Sequence, residues 1–571
     1  MLNAPLSKLL SDMADLLELS GDNPFRIRAF RRAAETISLH PDDIAGLTRE
    51  ARLAIPSIGK GVADIIEEFH QAGQVKEFQK LIKRFPVGVL DVMRVSGVGP
   101  KRAATLYKEL SVDSVAKLQT AVTRGSLKAL AGFGEKLEAN IAQSLTTIET
   151  TGRRPLIRDA RRIADQLAVY LSSSPAIRQL ALAGSARRWK ETVGDLDFLC
   201  TSTEPDKAIR HFSAFPGVDK VLASGGTKCS VLLASGLQVD FRVVPAESFG
   251  AALVYFTGSK AHNVRLRELA LKKGLSLNEY GFSKVADEKG KKSAGRTEKE
   301  VYAKLGMAWV PPELREDRGE IDAALKGKLP KLVEESDVLG DFHNHTNLSD
   351  GVHTLEQMAG AARERGWKYF FSADHSPSLT IAHGLPPAAL KKKIAAVREL
   401  DGKKGFRVFA SSEVDILADG RLDYADDVLG TLDCVVASVH SRFKQSTEEM
   451  TERLCRAIRH PRTHIMGHLS GRRLGKRESY HFDYETVFAE AKRNATAFEI
   501  NGQPERQELD DVHVRRAVAL GIPLAVTTDA HSMADLEFMT TAVHIARRGW
   551  VEPKHLLNCL ATEEVLRWLR A

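Results

Sequence analysis

The chain has 571 residues, 43% of them hydrophobic, and a formal net charge of +8, so it exceeds one core and favours an anionic partner. No apolar run reaches membrane-span length, and the start, Met1 to Lys8 running into Asp12 and Asp15, lacks a signal-peptide pattern; a soluble, cytoplasmic protein with no membrane contact is expected. Five scattered cysteines without C-x-x-C spacing argue against a disulfide or zinc framework, and of 18 histidines only His40, His70, His211 and His262 precede Gly340.

From Lys8 to about Ser144, apolar residues recur at helical spacing between short Gly-bearing turns. Three turns repeat: Ile55-Pro56-Ser57-Ile58-Gly59-Lys60-Gly61, Val95-Ser96-Gly97-Val98-Gly99-Pro100-Lys101 and Leu130-Ala131-Gly132-Phe133-Gly134-Glu135-Lys136. Each precedes an amphipathic run. Glycines let the backbone approach closely and the next helix N-terminus aims N–H groups at an anion, which suits phosphate. The plain alternative is a Gly-ended helix connection. Three copies in register resemble helix-hairpin-helix elements that grip the DNA backbone without reading sequence. The contacts would then come from Gly59, Lys60, Gly61, Gly97, Gly99, Lys101, Gly132, Gly134 and Lys136.

Leu182 to Leu199 places a Gly184-Ser185 turn, the basic run Arg187, Arg188 and Lys190, and the pair Asp195 and Asp197 in one short span. On a strand the two carboxylates share a face while Leu196 and Phe198 enter the core. Val239-Asp240-Phe241-Arg242-Val243 offers a third carboxylate on another strand, as a two-metal site for in-line phosphoryl displacement requires. A solvated strand end is the alternative for the pair alone. Small residues and guanidinium groups beside the carboxylates suit a triphosphate and its metals.

This constellation resembles the palm of family X DNA polymerases, the polymerase-beta-like group. The resemblance implies that Asp195 and Asp197 hold two Mg2+ or Mn2+ ions and that Asp240 joins the catalytic one and helps activate the primer 3'-hydroxyl. Gly184, Ser185 and Arg188 would meet the triphosphate, with Arg154 a further contact. Two departures are visible: Ala186 lies where relatives often carry an aromatic, and Trp189 replaces a small residue. Downstream, Tyr255-Phe256-Thr257-Gly258-Ser259-Lys260-Ala261-His262-Asn263-Val264-Arg265-Leu266-Arg267 is similar to the family's nucleotide-selecting subdomain. It implies Tyr255, Phe256 and Gly258 beside the incoming sugar, Asn263 facing its base and Arg267 at the template. Upstream, Asn23 to Ala34 resembles the start of the small domain that binds a downstream 5'-phosphate. Ile65 occupies the Schiff-base lysine position there, which argues against lyase activity, with Lys60 as the remaining amine.

A lower-order junction with Pro311-Pro312 and Lys326 to Lys331 marks a domain boundary. Beyond it, short β-rich runs alternate with helical ones: strands near Leu339–Phe342, Tyr369–Ser372, Val408–Ala410, Cys434–Ser438, His464–Met466, Ala497–Ile500 and Leu524–Thr527. Seven units suggest an α/β barrel, and metal-capable residues follow nearly every strand: His343, His345, Asp350, His375, Glu413, His440, His468, Asp529 and His531. Mixed imidazole and carboxylate favours Mn2+, Zn2+ or Fe2+.

The set resembles the polymerase-and-histidinol-phosphatase (PHP) domain, a phosphoesterase barrel fused to many bacterial family X polymerases. By that resemblance up to three ions bind: one on His343, His345, Glu413 and Asp529, a second on Glu413, His440 and His468, a third on Asp350, His375 and His531. Asp374, Asn501 and Arg506 are further contacts, to ligands or to substrate. His383, His460, His464, His481, His513, His544 and His555 lie off the motif.

The fold class expected is multidomain α and α/β. Its parts are an N-terminal helical DNA-end-binding domain (1–85), a helix-hairpin-helix subdomain (86–150), a nucleotidyltransferase α+β palm (151–245), a thumb-like subdomain (246–318), a linker (319–338) and a distorted (β/α)7 barrel (339–571). The function expected is a gap-filling DNA repair polymerase, in base excision repair or end joining, with a metal-dependent 3'-5' exonuclease or 3'-end-processing barrel. Its partners are gapped or primer-template DNA and deoxynucleoside triphosphates, and no motif signals an oligomer, so a monomer is expected. Two alternatives stand: a DNA-docked phosphoesterase or abasic-site endonuclease with a weak or inactive polymerase core, and a small-molecule phosphatase.

Overall fold

The computed structural model describes residues 3–40, 44–93, 95, 98–130, 133–134, 137–138, 141–142, 154–285, 293 and 295–570. The chain divides into two units, Met1–Arg154 and Pro155–Ala571.

The first unit is helical throughout its described residues. Asn23 accepts a hydrogen bond from Phe25 N and Pro24 opens the helix Pro24–Leu39, so side-chain capping and a preset φ start it where the sequence suggests. Leu6, Leu10, Met13, Phe30, Ile37, Val62 and Ile66 form one apolar cluster, and Leu90, Val98, Leu106 and Leu118 belong to the next. Among the expected DNA contacts, Gly59 and Gly99 immediately precede the helices Lys60–Ala72 and Pro100–Leu110, with no side chain capping either N-terminus. Lys60, Gly61 and Lys101 are exposed. Leu137 N and Glu138 N bond back to Gly134 O. Gly97, Gly132 and Lys136 lie outside the described residues. Ile65 packs in the core of this unit at 7% exposure.

The second unit begins with a five-stranded sheet: β1 (Leu180–Leu182), β2 (Asp195–Cys200), β3 (Val218–Ser224), β4 (Lys228–Leu233) and β5 (Gln238–Val243), in the order β1-β2-β5-β4-β3. The β2–β5 pair is parallel and the others antiparallel. The helices Ile157–Ser172 and Pro205–Ser213 supply Leu167, Leu171, Ile209 and Phe212 to one side of the sheet, where they meet Leu196, Phe198, Val239 and Phe241. Alternation leaves the acidic residues of β2 and β5 on the other side. The helices Phe249–Thr257 and Lys260–Lys272 follow, then the hairpin β6 (Leu275–Asn278) and β7 (Gly281–Lys284).

Residues 319–338, expected to be a linker in a lower-order stretch, are packed. Gly319 caps the helix Glu320–Leu325, whose Ile321 and Ala324 join the thumb cluster, while Val333 and Val338 join the barrel cluster. Alternating apolar residues hidden among lysines give this segment two cores to fill.

All seven expected barrel strands are present: β8 (Gly340–Asp341), β9 (Tyr369–Ser372), β10 (Arg407–Asp415), β11 (Cys434–Ser438), β12 (Ile465–Met466), β13 (Ala497–Asn501) and β14 (Leu524–Thr527). They run parallel in sequence order, and a bridge between Asn344 and Ala530 brings the two edges together, so the barrel is nearly closed. Inside, Phe342 stacks on Phe371 and Phe371 on Phe409, each at 4.5 Å. Leu557, Val565 and Leu569 join this interior cluster. These rings and the C-terminal helix fill the lower barrel, so polar chemistry is confined to the strands' C-terminal ends.

Candidate active centres

In the palm, parallel pairing sets Asp197 of β2 opposite Asp240 of β5, with Asp195 two residues earlier on the same face. Burial, followed by the like charges of Asp195 and Asp240, pushes Asp197 up to about 7. Three carboxylates so placed need a cation, which is the fit a divalent metal satisfies. Gln238 Nε2 donates to Asp240 Oδ1 at 2.9 Å and Lys228 Nζ lies 3.7 Å from Oδ2. Gly184 has φ +65° and sits against Asp197, where any Cβ would strike the carboxylate. Ser185 is in the short helical turn Gly184–Arg187 that follows. Gly184 and Ser185 therefore share the site with the three aspartates.

The basic residues divide. Arg187 makes a bidentate pair with Glu298 at 2.7 and 2.9 Å and also donates to Thr257 Oγ1. Arg188 bonds Glu316 at 2.9 Å and Thr257 O at 2.8 Å, so its guanidinium is engaged by protein. Arg154, last residue of the first unit, is exposed. Trp189 adopts φ +55°, a backbone that bulky residues rarely take. Its indole stacks on His544 of the barrel at 3.8 Å, with Arg161 over the ring. That contact accounts for the bulky residue: it fastens palm to barrel.

At the helix end Tyr255 and Phe256 meet edge to face at 5.0 Å, and Arg242 of β5 covers the Phe256 ring at 4.6 Å. Asn263 donates to Tyr255 O at 2.6 Å and Gly258 O at 3.2 Å, while Arg267 Nε reaches Asn263 O at 3.4 Å. Tyr255, Asn263 and Arg267 line one small pocket with Leu277 and Asn278. The expected nucleotide-selecting residues are thus gathered together, and the Arg242 contact links them to the strand bearing Asp240.

In the barrel all nine expected ligands converge. His343 Nε2 lies 3.3 Å and His345 Nε2 3.6 Å from Glu413 Oε2; Asp529 Oδ1 is 3.2 Å from His345 Nε2. His468 Nε2 and His440 Nε2 approach Glu413 Oε1 at 2.7 and 3.3 Å. Asp350 Oδ2 is 3.5 Å from His375 Nε2 and 3.3 Å from His531 Nε2. Glu413 stands at the centre, inside β10 instead of after it, because that strand runs five residues beyond the expected end. The groupings are His345, Asp350, His375 and His531; His343, His345 and Asp529; and His375, Glu413 and His440. His345 and His375 therefore each stand between two positions, a sharing that spacing alone does not reveal.

Both ring nitrogens of His345 and of His468, together with His343 Nε2, His440 Nε2 and Glu413 Oε1, are buried and make no hydrogen bond of acceptable geometry. Polar atoms are not stranded together without a partner of opposite charge. Burial, then the neighbouring His531 and His375, lower His345 to about 4, leaving its lone pair free. Burial opposes ionisation of Glu413, yet His440, His343, His375 and His468 hold it well below the usual range. Burial opposes protonation of His343, His375, His440 and His531, yet the neighbouring carboxylates raise all four; a divalent ion would displace those protons, and mixed imidazole and carboxylate is a donor set that suits Mn2+, Zn2+ or Fe2+.

A second layer aims these ligands. His343 Nδ1 pairs with Glu499 Oε1 at 2.6 Å, and Thr527 Oγ1 donates to the same oxygen. His440 Nδ1 meets Asp415, which Ser378 Oγ also reaches at 2.6 Å. Arg506 Nε and Asn501 Nδ2 hold Asp529 Oδ2 at 2.9 and 3.1 Å. Asp374 is fully buried and accepts from Thr346, Ser349 and Ser372. Glu499 escapes the sequence reading; its one signal is a carboxylate between the apolar residues Phe498 and Ile500 of the strand Ala497–Asn501. Of the histidines set aside, His544 supports the domain contact and His464 Nδ1 accepts from Val435 N.

Comparison with known proteins identifies the family. Residues 252–316 match the family described as DNA polymerase beta thumb, 1–75 a helix-hairpin-helix domain and 89–147 a SAM-like helix-hairpin-helix tandem. The chain is 36% identical over 566 residues to the DNA polymerase/3'-5' exonuclease PolX of Bacillus subtilis (strain 168), covering 99% of this chain and 98% of that one. It is also 25% identical to DNA polymerase lambda of Rattus norvegicus over 344 residues, 55% of this chain and 56% of the relative. DNA polymerase lambda of Arabidopsis thaliana is 24% identical over 346 residues, 55% and 62% of the two chains. Among described residues no helix is long and apolar enough to cross a membrane. The chain belongs to the bacterial family X DNA polymerases, in which a polymerase-beta-like core precedes a PHP barrel.

Proposed function

We propose that this chain is a DNA repair polymerase that fills short gaps, with a barrel that removes nucleotides from DNA 3' ends. The observation that carries the reading is the presence, in one compact unit, of the Asp195, Asp197 and Asp240 triad and the nine-residue cluster centred on Glu413. Its substrates are gapped or primer-template DNA and deoxynucleoside triphosphates, and it works as a monomer in the cytoplasm, in base excision repair or end joining. The palm takes Mg2+ or Mn2+ and the barrel up to three Mn2+, Zn2+ or Fe2+ ions.

Ions in these sites supply charge neutralisation at phosphorus and, in the barrel, activated water. In the palm, Asp240 receives the proton of the primer 3'-hydroxyl; a bond forms between that oxygen and the α-phosphorus, and pyrophosphate leaves. Gly184 and Ser185 offer backbone and hydroxyl groups to the triphosphate, and Arg188 joins them once released from Glu316. Tyr255, Phe256 and Gly258 pack beside the sugar, Asn263 faces the base and Arg267 the template. In the barrel, Arg506 NH1 is buried without a partner beside Asp529, placed to take a phosphoryl oxygen of the departing nucleotide. Gly59, Lys60, Gly61, Gly99, Lys101 and Gly134, with Gly97, Gly132 and Lys136, grip the DNA backbone. Ile65 supplies no amine at the Schiff-base position, which argues against sugar-phosphate lyase activity and leaves Lys60 as the remaining amine.

A 5'-labelled primer bordering a one-nucleotide gap, incubated with Mn2+, tests this. It should lengthen with deoxynucleotides and shorten without them. Shortening with no lengthening under any nucleotide supply would leave a DNA-docked phosphoesterase.

A further inference from the structure

Lys393, on the helix Pro387–Leu400, is 2% exposed. Its ammonium lies 2.9 Å from Asp374 Oδ2 and donates to the carbonyl oxygens of Ser372 and Ser411 at 2.8 Å each. Asp374 is itself fully buried. Its Oδ1 accepts from Thr346 N and Thr346 Oγ1 at 2.8 Å and from Ser349 Oγ at 2.9 Å, and its Oδ2 from Ser372 Oγ at 2.9 Å.

The sequence neighbours of these partners are metal-site residues. Thr346 follows His345, Ser349 precedes Asp350 and Asp374 precedes His375. One carboxylate thus ties down three of the four members of the group His345, Asp350, His375 and His531. The other ligands are held independently: His343 by Glu499, His440 by Asp415, and Asp529 by Arg506 and Asn501. A carboxylate buried this deeply needs a counter-charge, and an ion pair buried only for stability is seldom better than apolar packing. Its retention beneath one cation position points to a positioning role.

We propose that Lys393 is a positioning residue for one of the three barrel cations: through Asp374 it fixes His345, Asp350 and His375 and sets above all the affinity of the position on His345, Asp350, His375 and His531. This rests on the three-cation reading of the barrel. Loss of the ammonium leaves Asp374 without its counter-ion, and the loops carrying Thr346 and Ser349 lose their common anchor. The position on His375, Glu413 and His440 shares only His375 with that anchor.

The test counts Mn2+ bound at graded free concentrations by elemental analysis, in the full chain carrying Asp240→Asn to remove the palm contribution. The parent should bind three ions; Lys393→Met should need about 10–100-fold more Mn2+ to fill one of them and lose less affinity at the two that share only His345 or His375 with it. Should Lys393→Met not fold, Ser349→Ala removes one donor to Asp374 without stranding a buried charge, and should weaken the same ion by a smaller factor. Third-ion binding at parental affinity in a folded Lys393→Met, or in Ser349→Ala, overturns the proposal, as does equal weakening of all three. A parent that binds fewer than three ions overturns the three-cation reading first, before any variant is compared.

Discussion

Arg188 Nε lies 2.9 Å from Glu316 Oε1, and the same oxygen receives NH1 of Arg548 from the barrel at 3.2 Å. Arg548 also donates to Arg188 O at 2.7 Å and bonds Asp511, which Arg318 reaches at 3.0 Å. One thumb carboxylate therefore joins a palm arginine to a barrel arginine, and palm, thumb and barrel form one compact unit. Removing one partner of a buried pair costs about 3–5 kcal/mol, since the other charge is left stranded. Glu316→Gln should lower the unfolding free energy by about that amount. Urea unfolding checks it, and an unchanged midpoint would contradict it.

Acid should loosen the same junction. Burial acts to raise Glu298, Glu313 and Glu316, but Arg315 and Arg187, His544 and Arg547, and Arg548 and Arg188 respectively overcome it and hold each at about 2. The ordinary value of a glutamate, which the unfolded chain restores, is 4.5. A folded-state pKa below the unfolded one stabilises fully above the higher value and is lost as pH falls through the lower. The melting temperature should thus fall steeply between pH of about 4.5 and about 2. A flat profile across that window would count against the network.

The barrel strands and the nine residues that converge at their ends are legible in sequence because parallel strands buried on both faces read as apolar runs, and because histidine clusters at their ends have few other uses. Asp195, Asp197 and Asp240 are legible for a similar reason: period-two alternation fixes their face. What escapes is contact between residues far apart in the chain. Nothing local marks Glu499 as the partner of His343, Lys393 as the partner of Asp374, or His544 as the seat of Trp189. Arg188 reads from the motif as a triphosphate contact, and its bond to Glu316, 128 residues away, is invisible there. The junction at 319–338 misleads because lysines mask two apolar faces.

Gly184→Ala should separate the two activities. The added Cβ would meet the Asp197 carboxylate at a backbone conformation of φ +65°, moving a palm ligand. A displacement of about 1 Å can cost about 100-fold in rate. Primer extension should fall by about that factor while shortening stays at the parental rate. Equal extension by parent and variant would show that Asp197 is not held by this turn.

Glu499→Gln should act on the barrel alone. The variant keeps the shape of the side chain but weakens the hold on His343 and on the backbone N–H of His468. Second-layer changes of this kind cost about 10–100-fold in metal affinity. Mn2+ titration of the folded variant should show that loss, with primer extension unaffected. Parental Mn2+ affinity would remove Glu499 from the account.

Most direct is one labelled primer on gapped DNA with Mn2+, followed with and without deoxynucleotides in the parent, Asp240→Ala and His343→Ala. The account predicts that Asp240→Ala abolishes lengthening and leaves shortening, while His343→Ala does the reverse. A single variant that abolishes both activities in a folded chain would contradict two independent centres.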